Sequence, residues 1–176
     1  MLNIGEVVSG KPRILIVDDD DDLRLTLCEY LESQNFVVSS ARDGNEAIRL
    51  IQSRKNAFDI IFTDLVMPHG PDGLEVLKVA KQLSPLCCVV VMTGYSSIGT
   101  AIESIRAGAF DYLTKPFKLA EIEILANRMM EYLILLDDNR KLSSRLARVT
   151  DKSTAIDQRL ERIEALLSSL VTKVGV

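Results

Sequence analysis

The sequence predicts an α/β fold in which helices cover both faces of a parallel sheet of five strands. Five short apolar runs, rich in β-branched residues, recur at 13–17, 36–40, 59–63, 87–92 and 110–113. The segments between these runs repeat apolar residues at helical spacing. Strands that alternate with helices form a parallel sheet through right-handed crossovers, and runs this apolar are typical of strands buried on both faces.

Four helices are predicted between the strands, each from an apolar stripe with which it would cover the sheet. Asp20 or Asp21 precedes the first stripe as an N-cap. The stripes are Leu23, Leu27, Tyr30 and Leu31; Ala47, Ile48, Leu50 and Ile51; Leu74, Leu77, Ala80 and Lys81; and Ala101, Ile102 and Ile105.

The composition is that of a globular protein. Of 176 residues, 47% are hydrophobic and 26% are charged, and the net charge of −4 favours no nucleic-acid partner. The three cysteines, Cys28, Cys87 and Cys88, lack metal-binding spacing and are typical of a reducing compartment. The sequence has neither a signal-peptide pattern nor an apolar run near the roughly 20 residues of a membrane span. We therefore expect a cytoplasmic protein with no membrane partner.

The composition changes after Pro116, because Phe117–Val174 contains neither glycine nor proline and is predicted to be helical. Apolar residues at heptad spacing near the end of this segment predict a coiled-coil dimer. An earlier series of apolar residues follows a similar spacing, with a change of phase near 137–144. A hairpin of helices 119–149 and 155–173, with a capping box at Thr154 and Asp157, is a weaker alternative, as is packing on the preceding domain. The two series are Val149, Ile156, Leu160, Ile163, Leu167, Leu170 and Val174, and Leu125, Met129, Tyr132, Leu136 and Leu146.

Five consecutive aspartates, Asp18–Asp22, follow the first predicted strand. Two like charges about 4 Å apart repel by roughly 4 kcal/mol at an effective dielectric of 20, so the run needs an explanation. The last three aspartates lie where the first helix begins, and negative charge is favourable there. Asp18 and Asp19 need a different explanation.

Polar side chains also follow three other predicted strands. Asp64 follows the third strand, Thr93 the fourth and Lys115 the fifth. The carboxyl ends of parallel strands lie at one edge of the sheet, so these residues are expected to meet Asp18 and Asp19 there. Carboxylates in close proximity favour Mg²⁺, whereas a lysine and a hydroxyl suit a phosphoryl group. The sequence thus predicts a site for a phosphate ester or acyl phosphate beside Mg²⁺.

Residues 12–125 resemble the receiver domain of bacterial two-component response regulators. The resemblance rests on ILIVDD, DIIFTDLVMP, DGLEVL, VVVMTGY and AGAFDYLTKPF, which together are highly specific. It implies a flavodoxin-like sheet of order 2-1-3-4-5, an N-terminal tail at 1–11 and a helical coiled-coil tail at 126–176. The segment AIESIRAGAFDYLTKPF is most similar to receivers of σ54-activator proteins.

The resemblance also implies roles for single residues and a cofactor, Mg²⁺. Asp64 matches the aspartate that accepts the phosphoryl group. The implied metal ligands are Asp18, Asp19, Asp64 and the main-chain carbonyl of Val66. Lys115 matches the lysine that contacts phosphate, and Thr93 and Tyr112 match the switch hydroxyl and the switch aromatic residue.

The loop after Asp64 departs from the family pattern. It reads MPHGPDG, one residue longer than the usual spacing between MP and DG, so Gly70 and Pro71 are expected to shape a longer loop. The only histidine, His69, lies in this loop and is expected to be exposed to solvent rather than a ligand or a relay group.

The expected function is that of a phosphoacceptor switch, not an enzyme, although slow self-dephosphorylation is compatible with it. The expected partners are a sensor histidine kinase or histidine phosphotransfer protein, a second copy of the chain, and a downstream protein that the sequence does not identify. The chain has no Walker motif and no basic recognition helix, so it is not expected to bind nucleic acid itself. One alternative is a receiver-and-linker fragment of a DNA-binding regulator. Another is a haloacid-dehalogenase-like phosphatase, but that function would leave Asp64 without a role.

Overall fold

A computed structural model describes residues 11–53, 58–68, 70–94 and 98–174, without the side chains of 98, 149–157 and 165–174. The chain divides into two compact units, Met1–Ile134 and Leu135–Val176. Strands and helices alternate along the chain. The elements are β1 (Arg13–Val17), α1 (Asp21–Ser33), β2 (Val37–Ala41), α2 (Gly44–Ser53), β3 (Ile60–Asp64), α3 (Gly73–Leu83), β4 (Cys88–Thr93), α4 (Ile98–Arg106), β5 (Asp111–Thr114) and α5 (Leu119–Val174).

The five strands form one parallel sheet of order β2-β1-β3-β4-β5. This confirms the predicted α/β class and the flavodoxin-like strand order. The strand order reverses between β1 and β3, and ligand sites of such sheets lie at the carboxyl ends of the strands on either side of that reversal.

A hydrophobic core lies on each face of the sheet. One contains apolar residues of α2 and α3, and the other contains residues of α1 and of the first turns of α5. Strands β3 and β4 are buried throughout and β1 is buried after its first residue, as the apolar runs predict. The edge strands β2 and β5 are only partly buried, so the expectation of burial on both faces is wrong for them. Each edge strand has a neighbour on one side only.

Helix α4 does not pack its predicted apolar stripe against the sheet as expected. Ile102 and Ile105 are exposed, whereas Ser104 is completely buried. The Ser104 hydroxyl donates a hydrogen bond to the carbonyl of Thr100 at 2.8 Å, which satisfies its polar atom inside the protein. Helical spacing identified the helix but not the face that packs.

The beginning of α5 belongs to the first unit. The sequence placed Leu125 and Met129 in the apolar series of the helical tail. In the structure both are buried in the core beside α1, together with Ile122, Ala126 and Met130. The sequence-based boundary between 125 and 126 remains a prediction.

Backbone hydrogen bonding is helical along the whole of α5, Leu119–Val174, which favours the continuous helix over the hairpin. The side chains of the capping box at Thr154 and Asp157 lie outside the described residues. Within the part of the chain that is described, no helix is long and apolar enough to cross a membrane.

Gly73 allows the loop after β3 to pack against the start of α3. A Cβ atom at this position would lie 2.2 Å from the main-chain oxygen of Asp64, and main chain cannot move aside as a side chain can. We expect Gly73→Ala to lower the free energy of unfolding by about 2 kcal/mol, measured by urea denaturation. Gly94→Ala is the control, because among the described residues beyond its chain neighbours no heavy atom lies within 4 Å of its Cβ position. Equal losses in the two variants would contradict this explanation.

Candidate functional site

Four strand ends bring polar side chains to one edge of the sheet. Asp18 and Lys115 directly follow β1 and β5, and Asp64 and Thr93 are the last residues of β3 and β4. Asp18, Asp64 and Thr93 are buried. The structure therefore brings together the residues that the sequence placed at this edge.

Lys115 connects the two buried carboxylates. Its Nζ lies 2.7 Å from Oδ2 of Asp18 and 2.7 Å from Oδ2 of Asp64. Burial lowers the pKa of Lys115, but the two hydrogen bonds and the attraction of both carboxylates outweigh burial, so the pKa is raised above 10.5. While the carboxylates are ionised, this pairing stabilises the fold at pH values below about 10.5, and its contribution is lost as the pH rises through the raised pKa of Lys115.

Asp18 is the most enclosed of the acidic groups. Burial raises its pKa, while the hydrogen bonds from Lys115 and from the backbone amide of Asp20, at 3.0 Å, act in the opposite direction. Asp19 is exposed, yet one carboxylate oxygen from each of Asp18, Asp19 and Asp64 lies within 4.8 Å of the others. A metal ion could therefore be reached by all three.

The remaining aspartates of the acidic run have a separate role. Asp20 is the N-cap of α1, and its Oδ1 accepts hydrogen bonds from the amides of Asp22 and Leu23 at 3.0 Å. Asp21 and Asp22 lie in the first turn, where the helix dipole favours negative charge. This confirms that Asp20 caps the helix.

The loop after β3 borders Asp64. The amide of Val66 donates a hydrogen bond to Oδ1 of Asp64 at 3.3 Å, which places the main chain of Val66 beside the carboxylate. Gly70 has a φ of +127°, a conformation that favours glycine, consistent with its expected part in shaping the longer loop. His69 lies outside the described residues.

Thr93 and Tyr112 lie on neighbouring strands. Tyr112 is half-buried on β5, and its hydroxyl lies 3.4 Å from Oγ1 of Thr100 in α4. Thr93 is completely buried, and its carbonyl accepts a hydrogen bond from the amide of Lys115 at 2.8 Å. Tyr112 thus connects β5 to α4, whereas Thr93 connects β4 to the residue that bridges the carboxylates.

Sequence reasoning missed two residues of this region. Arg24 donates a hydrogen bond from Nη1 to the carbonyl of Asp18 at 2.7 Å and also pairs with Asp21, so it fixes the turn after β1. Thr100 is the hydroxyl partner of Tyr112. The position of Arg24 one turn inside a capped helix was the only feature of the sequence that could have indicated either residue, and it is a weak indication.

The donor set fits a hard divalent cation. Three carboxyl groups lie around one ammonium in a small, partly buried space, so the site is rich in oxygen donors. Carboxylate oxygens are the ligands that Mg²⁺ takes in proteins, usually with waters and phosphate oxygens completing its coordination. Asp18, Asp19 and Asp64 are the residues that would hold it.

The chain belongs to the response regulator receiver domain family, whose sequence profile matches residues 14–127. Regulatory protein AtoC of Escherichia coli (strain K12) is 34% identical over 135 residues, which cover 77% of this chain and 29% of AtoC. The DNA-binding transcriptional regulator NtrC of Salmonella typhimurium is 34% identical over 119 residues, which cover 68% of this chain and 25% of NtrC. The chain thus spans less than a third of the length of these curated relatives.

Solved structures show the same fold. A response regulator receiver domain protein from Clostridium thermocellum superposes with a TM-score of 0.66 at 29% identity, covering 71% of this chain and 98% of that one. NtrX from Brucella abortus superposes with a TM-score of 0.69 at 32% identity, covering 75% of this chain and 29% of that one.

Mg²⁺ binding can be tested with charge-matched variants. We expect Asp18→Asn and Asp64→Asn each to weaken Mg²⁺ binding by at least about tenfold, because each removes a charged ligand. The measurement is isothermal titration calorimetry with magnesium chloride, with circular dichroism to verify folding. Asp22→Asn removes the same charge from the same acidic run but outside the cluster, and should leave the affinity unchanged. An equal loss in Asp22→Asn would indicate a diffuse effect of charge rather than a site.

Proposed function

We propose that this protein accepts a phosphoryl group on Asp64 from the phosphohistidine of a sensor kinase or phosphotransfer protein. The observation that carries the proposal is the Lys115 ammonium, 2.7 Å from the carboxylates of both Asp18 and Asp64. It puts a cation where the oxygens of a phosphoryl group on Asp64 would lie. Membership of the receiver family supports the same reaction.

The transfer forms one bond and breaks another. A carboxylate oxygen of Asp64 attacks phosphorus, the phosphorus–nitrogen bond of the phosphohistidine breaks, and the imidazole leaves with the electron pair. The product is an acyl phosphate on Asp64. Phosphoryl transfer depends mainly on positioning and on stabilisation of charge on the equatorial oxygens. Lys115 meets that need by exchanging its hydrogen bond to Asp64 for one to a phosphoryl oxygen.

The metal site supports the same step. Mg²⁺, when bound, would offset negative charge on the phosphoryl oxygens and on the carboxylates. Asp18, Asp19 and Asp64, with the main-chain carbonyl of Val66, are its proposed ligands. The enclosed Asp18 also holds Lys115 in place through its hydrogen bond.

The proposed switch uses Thr93 and Tyr112. The Thr93 hydroxyl turns to donate a hydrogen bond to the phosphoryl group, and Tyr112 moves into the space that it leaves. Because the Tyr112 hydroxyl lies beside Thr100, its movement changes the contact between β5 and α4. A phosphoryl group adds about −1.5 to −2 charges, which is enough to bias a two-state element of this kind.

The protein thus acts as a switch and not as an enzyme, with only slow loss of the phosphoryl group to water. Its output passes through the α4–β5–α5 face and through the second unit, as dimerisation with a second copy or binding of a downstream protein. We place it in the cytoplasm with its kinase.

A second candidate is the receiver-and-linker part of a longer transcription regulator. The relatives named above favour it, since one is a DNA-binding transcriptional regulator and this chain matches only 25% of its length. The downstream sequence of the natural gene distinguishes the two candidates.

The acceptor residue can be identified by intact mass. After incubation with acetyl phosphate and Mg²⁺, we expect the native protein to gain one phosphoryl group and Asp64→Asn to gain none. The mutation replaces the attacking oxygen but keeps the shape of the side chain. Equal gain in both proteins would show that Asp64 is not the acceptor.

The switch can be separated from the chemistry. Thr93→Val keeps the volume of a completely buried side chain and removes only the hydroxyl. We expect it to accept the phosphoryl group but to lose the change in hydrogen exchange of α4 amides that accompanies phosphorylation of the native protein. Thr93→Ser keeps the hydroxyl and should keep the change in hydrogen exchange of the α4 amides on phosphorylation. An unaltered response in Thr93→Val would exclude Thr93 from the switch.

A further inference from the structure

The second unit carries large apolar side chains that are exposed to solvent. In the described part of this unit, no side chain is buried. Five apolar side chains are 52–67% exposed, namely Leu135, Leu142, Leu146, Leu160 and Ile163. Apolar residues that repeat along a helix at this exposure indicate a face that a partner covers.

The exposed residues keep one heptad register. Leu135, Leu142 and Ile163 occupy position d, and Leu146 and Leu160 occupy position a. Residues 137–144, where the sequence suggested a change of phase, stay in this register. By sequence the register continues through positions whose side chains are not described, with Val149, Ile156 and Leu170 at d and Leu167 and Val174 at a.

Asn139 is the polar residue at position a in the described part of this stripe, and it is exposed. A single asparagine at position a selects a register and an oligomeric state in coiled coils. In a parallel, in-register dimer the two Asn139 amides face each other and form a hydrogen bond. If the chains ran antiparallel with Leu146 opposite Ile163, Asn139 would face Leu170, and its amide would lose hydrogen bonds to water without gaining a partner.

Charges beside the stripe favour the same arrangement. Arg159 lies at position g and Glu164 at position e of the next heptad, and both are exposed. Positions g and e of the next heptad are neighbours across a parallel dimer, so these two form an ion pair there. Antiparallel helices bring g positions against g positions, which would place arginines at g, such as Arg145 and Arg159, among like charges.

We infer that a second copy of this chain covers the stripe, with the two helices parallel and in register, Asn139 against Asn139 and Arg159 against Glu164 of the partner. The inference rests on the proposed dimer and adds its orientation and register. It is independent of phosphoryl transfer to Asp64, which is measured separately.

Disulfide trapping tests the orientation. Leu146→Cys and Ile163→Cys are each oxidised alone and then as a mixture, in the full chain, with the unsubstituted chain as control. In the parallel, in-register dimer each substituted position faces itself, so each variant forms its own disulfide dimer. The mixture should contain little of the mixed dimer linking position 146 to position 163. The native cysteines provide a low background, because Cys87 and Cys88 are buried and Cys28 is partly buried.

Each other outcome overturns the inference. Predominantly mixed dimers would show antiparallel helices while leaving the dimer intact. A monomeric mass by sedimentation, with no disulfide dimer of either variant, would overturn the dimer itself. Phosphorylation of Asp64 can still be observed in either case, so a failure of the orientation is distinguishable from a failure of the acceptor.

Charge reversal tests the register. Arg159→Glu should weaken dimerisation roughly tenfold, because it places glutamate against glutamate in two symmetric pairs. The double variant Arg159→Glu with Glu164→Arg should restore the affinity, since the pairs are opposite in charge again. Arg162→Glu is the matched control, because it makes the same change of charge at position c, outside the seam. Equal weakening by the control, or no recovery in the double variant, would contradict the proposed register.

Discussion

The site depends on the ammonium of Lys115, which joins two buried carboxylates on neighbouring strands. Asp18 and Asp64 are both buried, and the ammonium gives each of them a partner of opposite charge at 2.7 Å. Lys115 reaches them from β5, past the end of β4, where Thr93 and Gly94 stand. One lysine thus holds three strand ends together.

The same interaction explains why a phosphoryl group would have a large effect. In the described structure, Lys115 satisfies both carboxylates, and the main chain of Lys115 is bonded to Thr93. A new anionic group on Asp64 would compete for the ammonium and attract the Thr93 hydroxyl. Lys115 directly follows β5, and the same strand contains Tyr112, whose hydroxyl lies 3.4 Å from Oγ1 of Thr100 in α4. Strand β5 therefore connects the residue that pairs with the carboxylates to the residue that contacts α4.

The sequence predicted most of the fold and of the site because both follow from simple constraints. Apolar runs located the central strands, and polar residues at their ends located Asp18, Asp64 and Lys115. It failed for α4, where a buried serine satisfies its hydroxyl locally and two isoleucines are left exposed. Spacing cannot reveal such an exchange, because it depends on a hydrogen bond within the helix. The burial of Leu125 and Met129 was missed because one helix continues from the core into the tail.

Helix α5 therefore has two different apolar faces along its length. Up to Met130, its buried residues complete the core beside α1, whereas Leu135, Leu142, Leu146, Leu160 and Ile163 further along are exposed. A helix in water gains little from propensity alone, so the second stretch needs burial against a partner to be strongly favoured. In a parallel dimer the two Leu135 residues meet directly after the last residue of each first unit.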